Sequence, residues 1–156
     1  MQNLILTRRA LLAGLAAVPL ATGLGAAARA MPVNASSAGV AIEGYDPVAY
    51  FKAGKPVRGL SEFTATHAGA TWHFASAANR DAFSANPQAF APQFGGYCAW
   101  AVSQGYTAKI DPQAWKIVAG KLYLNYSKGV QRRWAKDIPG NIANGDANWP
   151  GIRAKL

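Results

Sequence analysis

Sulfur and imidazole are scarce in this chain. One cysteine, Cys98, and two histidines, His67 and His73, stand among 156 residues. A single cysteine cannot close an internal disulfide, and one thiol with two imidazoles is a thin ligand set for a metal. Acids are few as well, with seven Asp and Glu against sixteen Lys and Arg. The carboxylates Glu43, Asp46, Glu62, Asp81, Asp111, Asp137 and Asp146 are scattered, and no pair is placed for hydrolysis. No Ser-His-Asp pattern and no phosphate-cradling loop occurs. The basic excess is spread along the chain, with one cluster at Arg132, Arg133 and Lys136. A nucleic-acid binder concentrates such charge on one face, so nucleic acid is not expected as a partner.

What is present begins with a leader. Thr7-Arg8-Arg9-Ala10-Leu11-Leu12 fits the twin-arginine export pattern, and residues 10–28 are apolar or small throughout. Ala28-Arg29-Ala30 fits an A-x-A cleavage site. Residues 1–30 are therefore read as a cleaved signal peptide, which implies a periplasmic location and no membrane span after cleavage. An uncleaved anchor is the competing reading. Gly14, Pro19, Thr22, Gly23 and Gly25 make the apolar run too weakly hydrophobic to favour it. In an oxidising compartment a lone thiol is buried, paired between chains, ligated or reactive.

The remainder has one domain's length. Residues 31–39, small and polar, are expected to be a flexible terminus, and 40–43 a short strand. Asp46 before Pro47 reads as the cap of a short helix whose Val48, Tyr50 and Phe51 pack inward. Residues 62–74 read as a hairpin turning at Ala68-Gly69. That register pairs Phe63 with Phe74 and Ala65 with Trp72 on a core face. It pairs Thr64 with His73 and Thr66 with Thr71 on the other, so His67 and His73 fall on opposite faces. Ser76 caps a helix over 77–85, and Pro87 starts a further turn. Residues 97–102 have strand composition, 105–110 read as a short strand, and Asp111-Pro112 as a turn. Residues 114–125 form a second hairpin turning near Ala119-Gly120. Trp115, Ile117, Leu122 and Leu124 share one of its faces; Lys116, Val118 and Tyr123 share the other. Ser127 caps a helix over 128–137 in which Val130 and Trp134 lie on one side. Residues 138–141 end it, 142–149 form one more short helix, and 151–156 are a tail. No internal repeat is read beyond the two hairpins. The class is α+β: a small antiparallel sheet built from two hairpins, with short helices packed on it.

The stretch Ala91-Pro92-Gln93-Phe94-Gly95-Gly96-Tyr97-Cys98-Ala99-Trp100 carries the candidate chemistry. Cys98 has three readings. It is a buried inert thiol, since free cysteine is among the most buried residue types. It is a soft-metal ligand for copper or zinc, helped by His67, His73 or Met31. Or it is a redox thiol that relies on an outside thiol, because no resolving cysteine exists.

The order of motifs resembles the exported bacterial YHS-domain proteins over most of residues 40–150. The likeness is carried by Gly44-Tyr45-Asp46-Pro47-Val48-Ala49-Tyr50-Phe51, Trp72-His73-Phe74-Ala75-Ser76, Phe83 with Asn86-Pro87, and Pro92 to Ala99. Asp111-Pro112, Trp115, Lys121 to Tyr126 and Asn148-Trp149-Pro150 continue it. The resemblance implies an antiparallel sheet with helices on it and a link to metal handling, because YHS modules accompany copper-transporting ATPases and some di-iron oxygenases. Many such modules carry two cysteines where this chain has Phe74-Ala75-Ser76-Ala77-Ala78-Asn79, which contains none. The expectation is a periplasmic YHS-type binding module, in preference to an enzyme, that handles a transition metal through Cys98, with His67 and His73 as further ligands. A thiol redox protein using Cys98 and a metal-free interaction domain are the alternatives.

Overall fold

A computed structural model describes residues 32–156. The leader read over 1–30, and Met31, lie outside the described residues. Helix α1 (Pro47–Lys52) starts where Asp46 sets it: Oδ1 accepts from the Val48 and Ala49 amides at 2.8 and 3.2 Å, and Pro47 opens the first turn. Strands β1 (Leu60–His67) and β2 (Ala70–Phe74) pair antiparallel around Ala68-Gly69. Ala65 lies opposite Trp72, Thr64 opposite His73 and Thr66 opposite Thr71, as alternation predicts. An irregularity between Leu60 and Thr64 sets Leu60, not Phe63, against Phe74. Helix α2 (Ala77–Ala85) follows, capped by Ser76, and then α3 (Pro87–Phe90).

Beyond it come α4 (Ala99–Ser103), β3 (Asp111–Val118), β4 (Lys121–Asn125), α5 (Lys128–Trp134) and α6 (Ile138–Arg153). The hairpins do not join: each is its own two-stranded antiparallel sheet, and short helices complete an α+β fold. Among the described residues no helix is long and apolar enough to cross a membrane.

Four local readings change. Residues 97–102 form no strand: from Ala99 they are helical at α4, where Ala99, Ala101 and Val102 are all fully buried. Small side chains let a short helix bury several sides, and such a helix shares the apolar run of a strand. Residues 105–110 form no ladder. Asp111-Pro112 opens β3 rather than turning the chain. Residues 138–141 start α6 rather than ending its predecessor, because Asp137 caps the Gly140 amide at 3.0 Å and Pro139 suits a first turn. Near the start, the expected strand over 40–43 is reduced to isolated bridges of Val40 to Thr71 and Ala41 to Ala35, followed by a 3-10 turn over Ile42–Gly44. The segment expected to be a flexible terminus is tied down, with the Asn34 amide donating to the Gly95 carbonyl at 2.8 Å.

The structure also contains a repeat that the letters conceal. Strands β1 and β2 recur as β3 and β4 at one constant spacing, each with an irregularity near its start. Ala68 and Gly69 turn the first hairpin at φ 52° and 78°, and Ala119 and Gly120 turn the second at 48° and 73°. Ser76 and Ser127 both follow, each accepting the amide three residues on at 3.2 Å. Trp72 packs on Phe83 at 5.2 Å and 34°, and Tyr123 packs on Trp134 at 5.4 Å and 34°. Ahead of each hairpin, Ile42-Glu43-Gly44 and Phe94-Gly95-Gly96 both run through three positive φ values into a tyrosine and a short helix.

The two hairpins differ on one face. In the second, Trp115, Ile117, Leu122 and Leu124 pack into the first unit's core, where Tyr50 meets Trp115 edge-on at 5.2 Å. The matching positions in the first are Thr64, Thr66, Thr71 and His73, half-buried or exposed. Tyr123 and Trp134 then form a second cluster with Phe94, Ala99 and Val102, closed by Ile138, Ile142 and Trp149.

Candidate functional site

Asp46 and Cys98 occupy equivalent seats, each the residue before a short helix. The Asp46 amide donates to the Val57 carbonyl at 2.9 Å, and the Cys98 amide to the Ala108 carbonyl at 3.0 Å. The Ala75 amide donates to Asp46 Oδ2 at 2.8 Å, and the Tyr126 amide to Cys98 Sγ at 3.2 Å. Asp46 also caps its own helix and accepts from Asn79 Nδ2 at 2.7 Å, so a fully buried carboxylate meets four donors.

A thiol has no second oxygen with which to cap. In the second unit that work passes to Asn125, whose Oδ1 accepts from the Trp100 amide at 3.2 Å and from the Cys98 thiol at 3.7 Å. Asn125 is fully buried, and its Nδ2 has no partner among the described residues. The place of Asn79 is taken by Val130, which cannot bond to the seat. A cleft of about 240 Å³ opens there, lined by Cys98, Trp100, Tyr106, Tyr126, Val130 and Arg133 among others. The Arg133 guanidinium lies over the Trp100 ring, 5.7 Å from its centroid. Tyr106 and Tyr126 are exposed at the rim, while Cys98 itself is 1% exposed and lies at the floor.

The histidines stand elsewhere. His67 ends β1, packs edge-on against Phe83 at 5.7 Å and lines a separate cavity with Trp72 and Trp149. His73 lies beside Gly44 and Gly59, on the opposite strand face from Trp72. The set Cys98, His67 and His73 is therefore not brought together. Among the described residues no three His, Cys, Asp or Glu side chains are grouped to hold an ion. The residues present do not fit a resident copper or zinc centre.

Two tyrosines are held protonated. Tyr50 donates to the Pro112 carbonyl at 3.0 Å, and its pKa is raised far above the ordinary phenol range, by burial first and then by Tyr45, Asp111, Glu43 and Asp46. The pKa of Tyr123 is raised by burial and then by Asp146. Cys98 was legible as a candidate from its uniqueness. Asn125 and Arg133 were not. The one signal for Asn125 is a polar residue closing the apolar run Leu122-Tyr123-Leu124. Comparison with protein families, curated proteins and solved structures gives no match.

Proposed function

We propose that the chain is an exported YHS-type binding module whose site is the cleft over Cys98, with the thiol as the group that meets the ligand. The leader and the motif order support the export and the family. The observation that carries the site is that the only thiol lies at the floor of a cleft, held by a backbone donor on sulfur, in a seat that its equivalent seals with a carboxylate. Transition-metal handling then rests on Cys98 as the sole thiolate or imidazole donor. An ion there is cargo, soft enough for one sulfur and carrying its remaining ligands with it.

A second reading, thiol redox chemistry, draws on the same surroundings. A backbone N–H on sulfur and a guanidinium lining the cleft are the settings in which thiols react. An outside thiol would complete any cycle.

Because Cys98 is the one cysteine, labelling with iodoacetamide reads this site alone. The native protein should label completely, and Val130→Phe, which fills the cleft, should slow it roughly tenfold or more. Labelling only at the rate of global unfolding would make Cys98 core and end both readings. For the cargo reading, Cys98→Ser should lose copper or zinc uptake measured by elemental analysis; uptake equal to the parent's refutes it. For the redox reading, peroxide should oxidise Cys98 well ahead of a free thiol; oxidation no faster than that refutes it.

A further inference from the structure

The second cavity, about 160 Å³, lies where the first hairpin meets α6. Its walls include His67 and Trp72 from the hairpin, Gln88 and Gln93 from the segment between the two units, and Asp146 and Trp149 from α6. Cys98 and Arg133 belong to the other cleft, and no lining residue is shared.

Its charge is the informative feature. The chain holds sixteen Lys and Arg against seven Asp and Glu, yet no Lys or Arg lines this cavity and Asp146 does. Asp146 is exposed and forms no ion pair among the described residues. The aromatic wall is fixed. Trp72 is buried, spends its indole N–H on the His67 carbonyl at 3.0 Å and packs its ring on Phe83, so it stiffens the wall and leaves the open ring surface to Trp149. Trp149 is half-buried and stacks at a tilt on Phe94 and Tyr97, at 6.1 and 6.2 Å. The strained turn supplies the floor: Phe94 and Gly95 sit at φ 55° and 61°. A Cβ at Gly95 would collide with the Pro32 carbonyl, so this wall tolerates little change.

The Trp149 ring face attracts cations through its quadrupole and the Asp146 carboxylate adds charge, and neither needs an N–H on the ligand. We infer that this cavity binds a small organic ammonium ion. A bare metal ion would need grouped hard ligands, and none are grouped among the described residues.

The test uses the purified full chain and choline chloride, against 3,3-dimethylbutan-1-ol, a neutral molecule of the same shape. Binding is read from indole N–H signals in 1H–15N spectra. Choline should bind saturably, and the alcohol roughly tenfold or more weakly. Asp146→Asn should erase that preference without moving the thermal midpoint, because the side chain is exposed. Cys98→Ser should leave it intact. Equal affinity for the two probes, a choline preference that survives Asp146→Asn, tighter binding of glucose than of choline, or no choline binding would each overturn the inference.

Discussion

Asp46 and Cys98 take the same position in two versions of one unit, and the two seats have opposite fates. The carboxylate meets four donors and is sealed. The thiol accepts from one backbone donor, gives its S–H to Asn125, leaves the capping of its helix to that residue, and faces a cleft where Val130 replaces Asn79. Structural load and accessibility therefore trade against each other. A group that satisfies every neighbouring donor has no capacity left for a ligand. A group relieved of that work is free to meet one.

The largest expected effect comes from removing the loaded side. Asp46→Ala strands the amides of Val48, Ala49 and Ala75 and the Asn79 side chain, and should cost about 3–5 kcal/mol in urea unfolding. Cys98→Ala should cost only about 1–2 kcal/mol. Equal costs would mean that the seats are not used differently.

A smaller effect concerns pH. The folded-state pKa of Tyr50 is raised, so its contribution is fully present below the ordinary phenol value of about 10 and is lost as pH climbs towards the folded value. Between pH 8 and 11 the parent should lose about 1 kcal/mol more than Tyr50→Phe. Parallel slopes for the two proteins would argue that the phenol is not held protonated.

Of similar size, Ser76→Ala and Ser127→Ala should each cost about 1 kcal/mol, because both hydroxyls accept one amide at the same distance. A clear difference between them would break the equivalence of the two units.

The hairpins, their registers close to the turns and the serine caps were legible because period-two alternation, a two-residue turn and a cap hydroxyl are local signals, whereas the irregularity that displaces Phe63 from Phe74 leaves no such signal. Helix α4 was not, since a buried helix of small and aromatic residues has the composition of a strand. The repeat escaped because it preserves backbone shape and hydrogen bonds more than residue identity. Phe83 matches Trp134 in burial and Ala75 matches Tyr126 as an amide donor, yet neither pair shares a side chain. The candidate thiol could be picked out by its rarity. The cleft above it depends on Val130 and Arg133, two helix residues that alone signal only an amphipathic surface.

The polar face of the first hairpin has a consequence for assembly. The second unit stacks on the first through Trp115, Ile117, Leu122 and Leu124, which is a head-to-tail contact between unlike surfaces. Such contacts continue indefinitely unless the last surface refuses a further copy. Thr64, Thr66, Thr71 and His73 lie where a third unit would have to stack, and they present hydroxyls and an imidazole instead of leucines. His73, read from the sequence as a metal ligand, is on this view part of a terminus.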